Sequence, residues 1–211
     1  MYTKIIRLLV AFSVLSSLLA MQTVLAQTVT SQMRATVSDH DNAKQIPLEN
    51  GLQNWDKIYQ VFSHPRCANC HVPDDNLPRW SGPNYGETRV HGMHITGGKS
   101  RIGVETVMCS TCHAHSNSAE PHGPPGAPVW MLAPVEMLWW QQSSKQICEQ
   151  IKDPARNGGR TLDDVAHHIE EDELVHWGWE PGIGREPAPY SAQETAEFVT
   201  LWANAGAPCP E

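Results

Sequence analysis

The sequence predicts a mainly α, single loop-rich domain with few helices. Three observations carry that prediction. Apolar residues recur at helical spacing in three stretches, 51–63, 134–151 and 191–204. Proline and glycine number 16 and 15 among 211 residues, above ordinary usage. The pattern Cys-x-x-Cys-His occurs twice, and its histidines, His71 and His113, lie too close in sequence for two tandem domains.

The N-terminal segment 1–26 reads as a secretory signal peptide. Lys4 and Arg7 form a basic start, Leu8 to Ala20 is apolar, and Val24-Leu25-Ala26 offers small residues at a cut before Gln27. An uncleaved anchor is the alternative, although the apolar run is short for a span of about 20 residues. Loss of Lys4 and Arg7 takes the net charge from −8 to −10. That acidity argues against a nucleic-acid binder, which needs cations for phosphates. No second span is predicted, because Pro134 and Glu136 break the apolar stretch from Val129 to Trp140.

Segment 27–49 is polar and reads as a flexible lead-in; the domain proper is 50–211. Leu52, Trp55, Ile58, Tyr59 and Phe62 place a helix over 51–63, which Pro65 ends. The chain from 72 to 106 shows little periodicity, and 117–134 is a proline-rich loop. Met137, Leu138, Trp140, Ile147 and Ile151 predict a helix from Pro134 through Ile151. Asp153-Pro154 and Asn157-Gly158-Gly159 turn the chain. Thr161 and Asp164 start a short helix over 162–170, and Gly178 to Pro189 is loop. Ser191 and Glu194 cap the last helix, which Gly206 closes.

The chemistry lies in the repeated motif. Cys67-Ala68-Asn69-Cys70-His71 and Cys109-Ser110-Thr111-Cys112-His113 both match the c-type haem attachment pattern. Two thiols add across the two vinyl groups of one porphyrin, and the adjoining histidine reaches the iron. Two haem c groups are therefore expected, sharing one core. The alternatives are a zinc site built from four thiols and a redox dithiol. Neither accounts for the repeated histidine. Cys148 and Cys209 remain, and in an oxidising compartment they are expected to form a disulfide.

Each iron has a second axial position, usually filled by Met or His. The candidates are His64, His91, His94, His115, His122, His167, His168 and His176, with several methionines. His91 lies on a Gly-containing segment between the motifs, and His168 on the predicted helix past the second. These two are favoured, with Met93 or Met131 as substitutes. His64 and His115 are tethered too near their own motifs.

Several runs carry a resemblance. They are His64-Pro65-Arg66 leading into the first motif, the second motif itself, Pro124-Pro125-Gly126-Ala127-Pro128, Lys152-Asp153-Pro154 with Asn157-Gly158-Gly159-Arg160, Trp177-Gly178-Trp179-Glu180-Pro181-Gly182, and Gly206-Ala207-Pro208-Cys209-Pro210. Over about 55–211 the chain resembles exported bacterial dihaem c-type cytochromes labelled isoquinoline 1-oxidoreductase subunits. The resemblance implies an electron acceptor for a molybdenum hydroxylase, and a His or Met ligand at Trp130-Met131-Leu132, where this chain has Met131.

The function expected is periplasmic electron transfer between a dehydrogenase donor and a cytochrome or oxidase acceptor, with no substrate of its own. A haem enzyme of peroxidase type, or a gas-ligand sensor with one five-coordinate haem, is the alternative. Two six-coordinate low-spin haems favour the first; one high-spin haem favours the others.

Overall fold

The structure, a computed structural model, describes residues 47–81, 88–121 and 123–211, together with Gln27, Thr30, Gln32 and Arg34. The predicted signal peptide lies outside the described residues. The four isolated residues of the predicted lead-in are helical, and so is its end from residue 47, so that stretch is not uniformly irregular. Residues Leu48–Glu211 form one compact unit.

The unit is mainly helical. Its helices are α1 (48–62), α2 (Pro65–Ala68), α3 (Ser144–Lys152), α4 (Leu162–Glu171), α5 (Glu173–His176) and α6 (Ala192–Asn204). Two antiparallel ladders of two residues per strand accompany them. One pairs β1 (Arg79–Trp80) with β2 (Arg89–Val90), the other β3 (Gly103–Val104) with β4 (Val107–Met108). Among the described residues no helix is long and apolar enough to cross a membrane.

Helix starts follow local chemistry. Ser143 and Gln146 form a reciprocal capping box on α3, and Thr161 and Asp164 do so on α4. Ser191 Oγ accepts from the Glu194 amide at 3.1 Å to start α6. Each such cap contributes about 1 kcal/mol.

The apolar faces of α1, α3, α4 and α6 meet in one core. It contains Trp55, Ile58, Val61, Phe62, Ile147, Ile151, Val165, Ile169, Val199 and Trp202. Trp55 and Trp202 pack at 5.0 Å between centroids. Both indole N–H groups are satisfied: Trp55 Nε1 donates to Ser144 Oγ and Trp202 Nε1 to the Pro208 carbonyl, each at 2.8 Å. A disulfide joins Cys148 of α3 to Cys209 of the tail. The tail also bears on α1, where a Cβ at Gly51 would lie 2.6 Å from Pro208.

One predicted helix is corrected. The helix expected from Pro134 through Ile151 begins only at Ser144. The stretch before it is pinned to the first motif: the amides of Trp139 and Trp140 both donate to the His71 carbonyl at 3.0 Å. Gln141, at φ +58°, then breaks any helical continuation. Apolar spacing alone gave no sign that these amides had a different acceptor.

Candidate functional site

The first motif sits on α2 and the turn after it. His64 caps α2, and Pro65 occupies a first-turn position, where its missing N–H costs nothing. Cys67 and Cys70 are partly buried; burial pushes their thiols up to about 12 and about 11. The His71 ring lies between a carbonyl and an indole. Its Nδ1–H donates to the Met137 carbonyl at 2.8 Å, which directs Nε2 away as the free donor atom. Trp139 stacks on the ring at 3.5 Å and 1°, and Phe62 stacks on Trp139 in turn at 4.4 Å. Burial, the largest cause, holds His71 down to about 3. The ring is therefore neutral and ready to coordinate at ordinary pH.

These groups line a cavity of about 330 Å³. Its other walls are core residues, Ile151, Val165 and Ile169 among them, and His168 of α4. The Nδ1 of His168 faces Asp172 Oδ2 at 3.4 Å.

The second motif follows the β3–β4 hairpin, with Cys109–Thr111 in a 3₁₀ turn. The arrangement at His113 repeats that at His71. Its Nδ1–H donates to the Pro125 carbonyl at 2.8 Å, and Trp130 stacks on it at 4.7 Å and 6°. Trp177 meets Trp130 edge-on at 5.1 Å. Burial lowers the proton affinity of His113 as well. Across the gap stands His91, its centroid 6.1 Å from that of His113. That separation is wide enough for one metal ion to be held by a nitrogen of each ring at about 2 Å. The His91 Nδ1 is buried with no hydrogen-bond partner among the described residues. A buried polar atom left unpaired is costly, and only a partner at Nδ1 itself would offset that cost.

This second cavity measures about 710 Å³ and is lined by Cys109, Cys112, His113, His91 and Met93 among others. The two cavities adjoin: Arg66, Cys70, Trp130, Met131, Leu132 and Trp177 line both.

The structure thus brings each motif to a cavity and sets one favoured distal histidine in each, His168 with the first and His91 with the second. Met93 is 68% exposed at the edge of the larger cavity, and Met131 lies in the shared wall. His64, His94, His115, His167 and His176 line neither cavity, and His122 lies outside the described residues. The four motif thiols do not gather around one point: among the described residues, no three His, Cys, Asp or Glu side chains converge as an ion site. Sequence reasoning missed the carbonyls of Met137 and Pro125 and the stacking of Trp139 and Trp130. The high tryptophan count, 8 against 3 Phe, was the only available signal.

No known protein family, curated protein or solved structure matches the chain.

Proposed function

We propose that this chain is an exported dihaem c-type cytochrome that carries electrons and has no substrate of its own. The observation that supports this most is the repeated arrangement. In each half, two thiols and a neutral imidazole line one cavity, the imidazole is fixed through Nδ1 by a backbone carbonyl, and a second histidine lines the same cavity. This donor set fits a covalently attached haem with two axial imidazoles. A bound haem supplies a one-electron change at iron. Cavities of 330 and 710 Å³ with aromatic walls lie within the ordinary range for cofactor sites.

The chain's own residues have distinct tasks in this reading. Cys67 and Cys70, and Cys109 and Cys112, form the thioether anchors. His71 and His168 would hold the iron of the first haem, and His113 and His91 that of the second. Two histidine ligands place the potentials lower than a Met ligand would. Met137 and Pro125 orient the rings, and Trp139 and Trp130 exclude water from them.

The partners in this reading are a periplasmic dehydrogenase, such as a molybdenum hydroxylase, as donor and a cytochrome or oxidase as acceptor. The acidic surface suits docking on a basic patch, with salt-dependent association.

Intact mass of the exported protein tests the reading directly. The expected value is the chain from Gln27 plus two haems; fewer haems overturns it. His168→Ala and His91→Ala are each expected to convert one haem from low to high spin while both stay attached. An unchanged low-spin spectrum in either variant removes that histidine from the ligand set. A high-spin haem in the unmodified protein favours the peroxidase or gas-sensor alternative.

A further inference from the structure

Arg66 precedes Cys67 and is the one arginine, lysine, aspartate or glutamate among the described residues that lines both cavities. It is 5% exposed. Its guanidinium is fixed from separate segments: Nε donates to the Glu186 carbonyl at 2.8 Å and Nη1 to the Ser81 carbonyl at 3.4 Å. The same group lies 6.0 Å from the centre of the Trp177 ring, itself part of the shared wall. The other ionised groups in the cavity walls divide between the two sites, and the buried Arg101, beside the first motif, lines neither cavity. Arg79 and Arg185 line only the larger cavity, and Arg160 and Asp172 only the smaller. Arginine does not lose its proton in proteins, so Arg66 is a permanent positive charge held at the boundary.

We propose that Arg66 is a shared electrostatic control that raises the reduction potentials of both haem sites together; the proposal rests on the dihaem reading above. One electron added to either site lowers its charge by one. A fixed cation nearby stabilises that reduced state by Coulomb attraction, and the interaction is strong where water is excluded. Because the charge borders both cavities, it acts on both sites. Arg185 faces one cavity and acts on one.

Spectroelectrochemical titration of the purified dihaem protein tests this. Covalent haem is counted first: fewer than two haems in the unmodified protein defeats the dihaem reading itself. With two present, Arg66→Gln is expected to lower both midpoint potentials, so that at a fixed solution potential the reduced-to-oxidised ratio falls about threefold or more at each site. Arg66→Lys is expected to restore both, and Arg185→Gln to lower only that of the second site. Unchanged potentials in Arg66→Gln, or a shift at one site alone, overturn the proposal while leaving the dihaem reading intact. If Arg66→Gln fails to load haem, Arg66→Lys is titrated alone: two potentials like those of the unmodified protein support the shared charge, and displaced potentials overturn it. Failure of Arg66→Lys as well assigns Arg66 a purely structural role and overturns the proposal.

Discussion

At the first motif, the cavity walls are core residues: Phe62 of α1, Ile151 of α3, and Val165 and Ile169 of α4. At the second, they come largely from loops, with Met93 68% and Ile183 59% exposed at the edge. Cys67 and Cys70 are partly buried, whereas Cys112 is exposed. The immediate contacts of the two histidines are nevertheless alike, a carbonyl on Nδ1 and an indole on the ring face. The five-residue motif therefore sets the donors, and the segments that fold over it set how far they depend on the core. One site is part of what holds the domain together; the other is attached to it.

The strongest test of that contrast removes one anchor pair at a time. Cys67→Ala/Cys70→Ala is expected to destabilise the domain by about 3–5 kcal/mol, the scale of a large core deletion, and to lower Tm by roughly 10 °C or more. Cys109→Ala/Cys112→Ala is expected to lower Tm by only about 3 °C, with the helical circular dichroism kept. Equal losses in the two variants would break the contrast.

The stacked indoles give a second test. Trp139 is 8% exposed and joins His71 to Phe62, so Trp139→Ala is expected to cost about 3–5 kcal/mol in denaturant unfolding. Trp130, less buried, is expected to cost about 1 kcal/mol, near the value of one aromatic pair. A larger effect at Trp130 would place the second site in the core.

Acid sharpens the comparison further. Burial holds His71 at about 3, below its ordinary 6.5, so the folded state binds fewer protons there than the unfolded one. Its contribution to stability is complete above about pH 6.5 and is lost as pH falls toward 3. Denaturant unfolding of the haem-free protein is expected to show that loss over the same interval, and an unchanged stability down to about pH 4 would refute it. The smallest effect lies away from the two motifs: Ser143→Ala is expected to cost about 1 kcal/mol in denaturant unfolding through the lost cap on α3.

What the sequence made legible depended on which atoms mattered. Side-chain patterns were readable: the two motifs, the cap residues Thr161 and Ser191, and the leftover pair Cys148 and Cys209. The stretch from Pro134 to Trp140 was misread, because its apolar spacing suits a helix while its amides serve the His71 carbonyl. The carbonyls of Met137 and Pro125 were invisible, since every residue has one. His91 lies nearly midway in sequence between His71 and His113, so spacing could not tell which site it joins. The loop that sets it beside His113 is fixed in part by the bond from the His91 amide to the Pro78 carbonyl, at 2.9 Å.

The Cys148–Cys209 bond has a consequence for fragments of the chain. It closes a covalent ring that includes His168, α4, α5 and α6 but neither motif. A protease that cuts once within this ring, for instance after Arg185 in the loop before α6, leaves no piece free to diffuse away. On a gel without reductant the nicked protein is expected to migrate as one species. With reductant it separates into two, and the smaller one contains none of the motif cysteines.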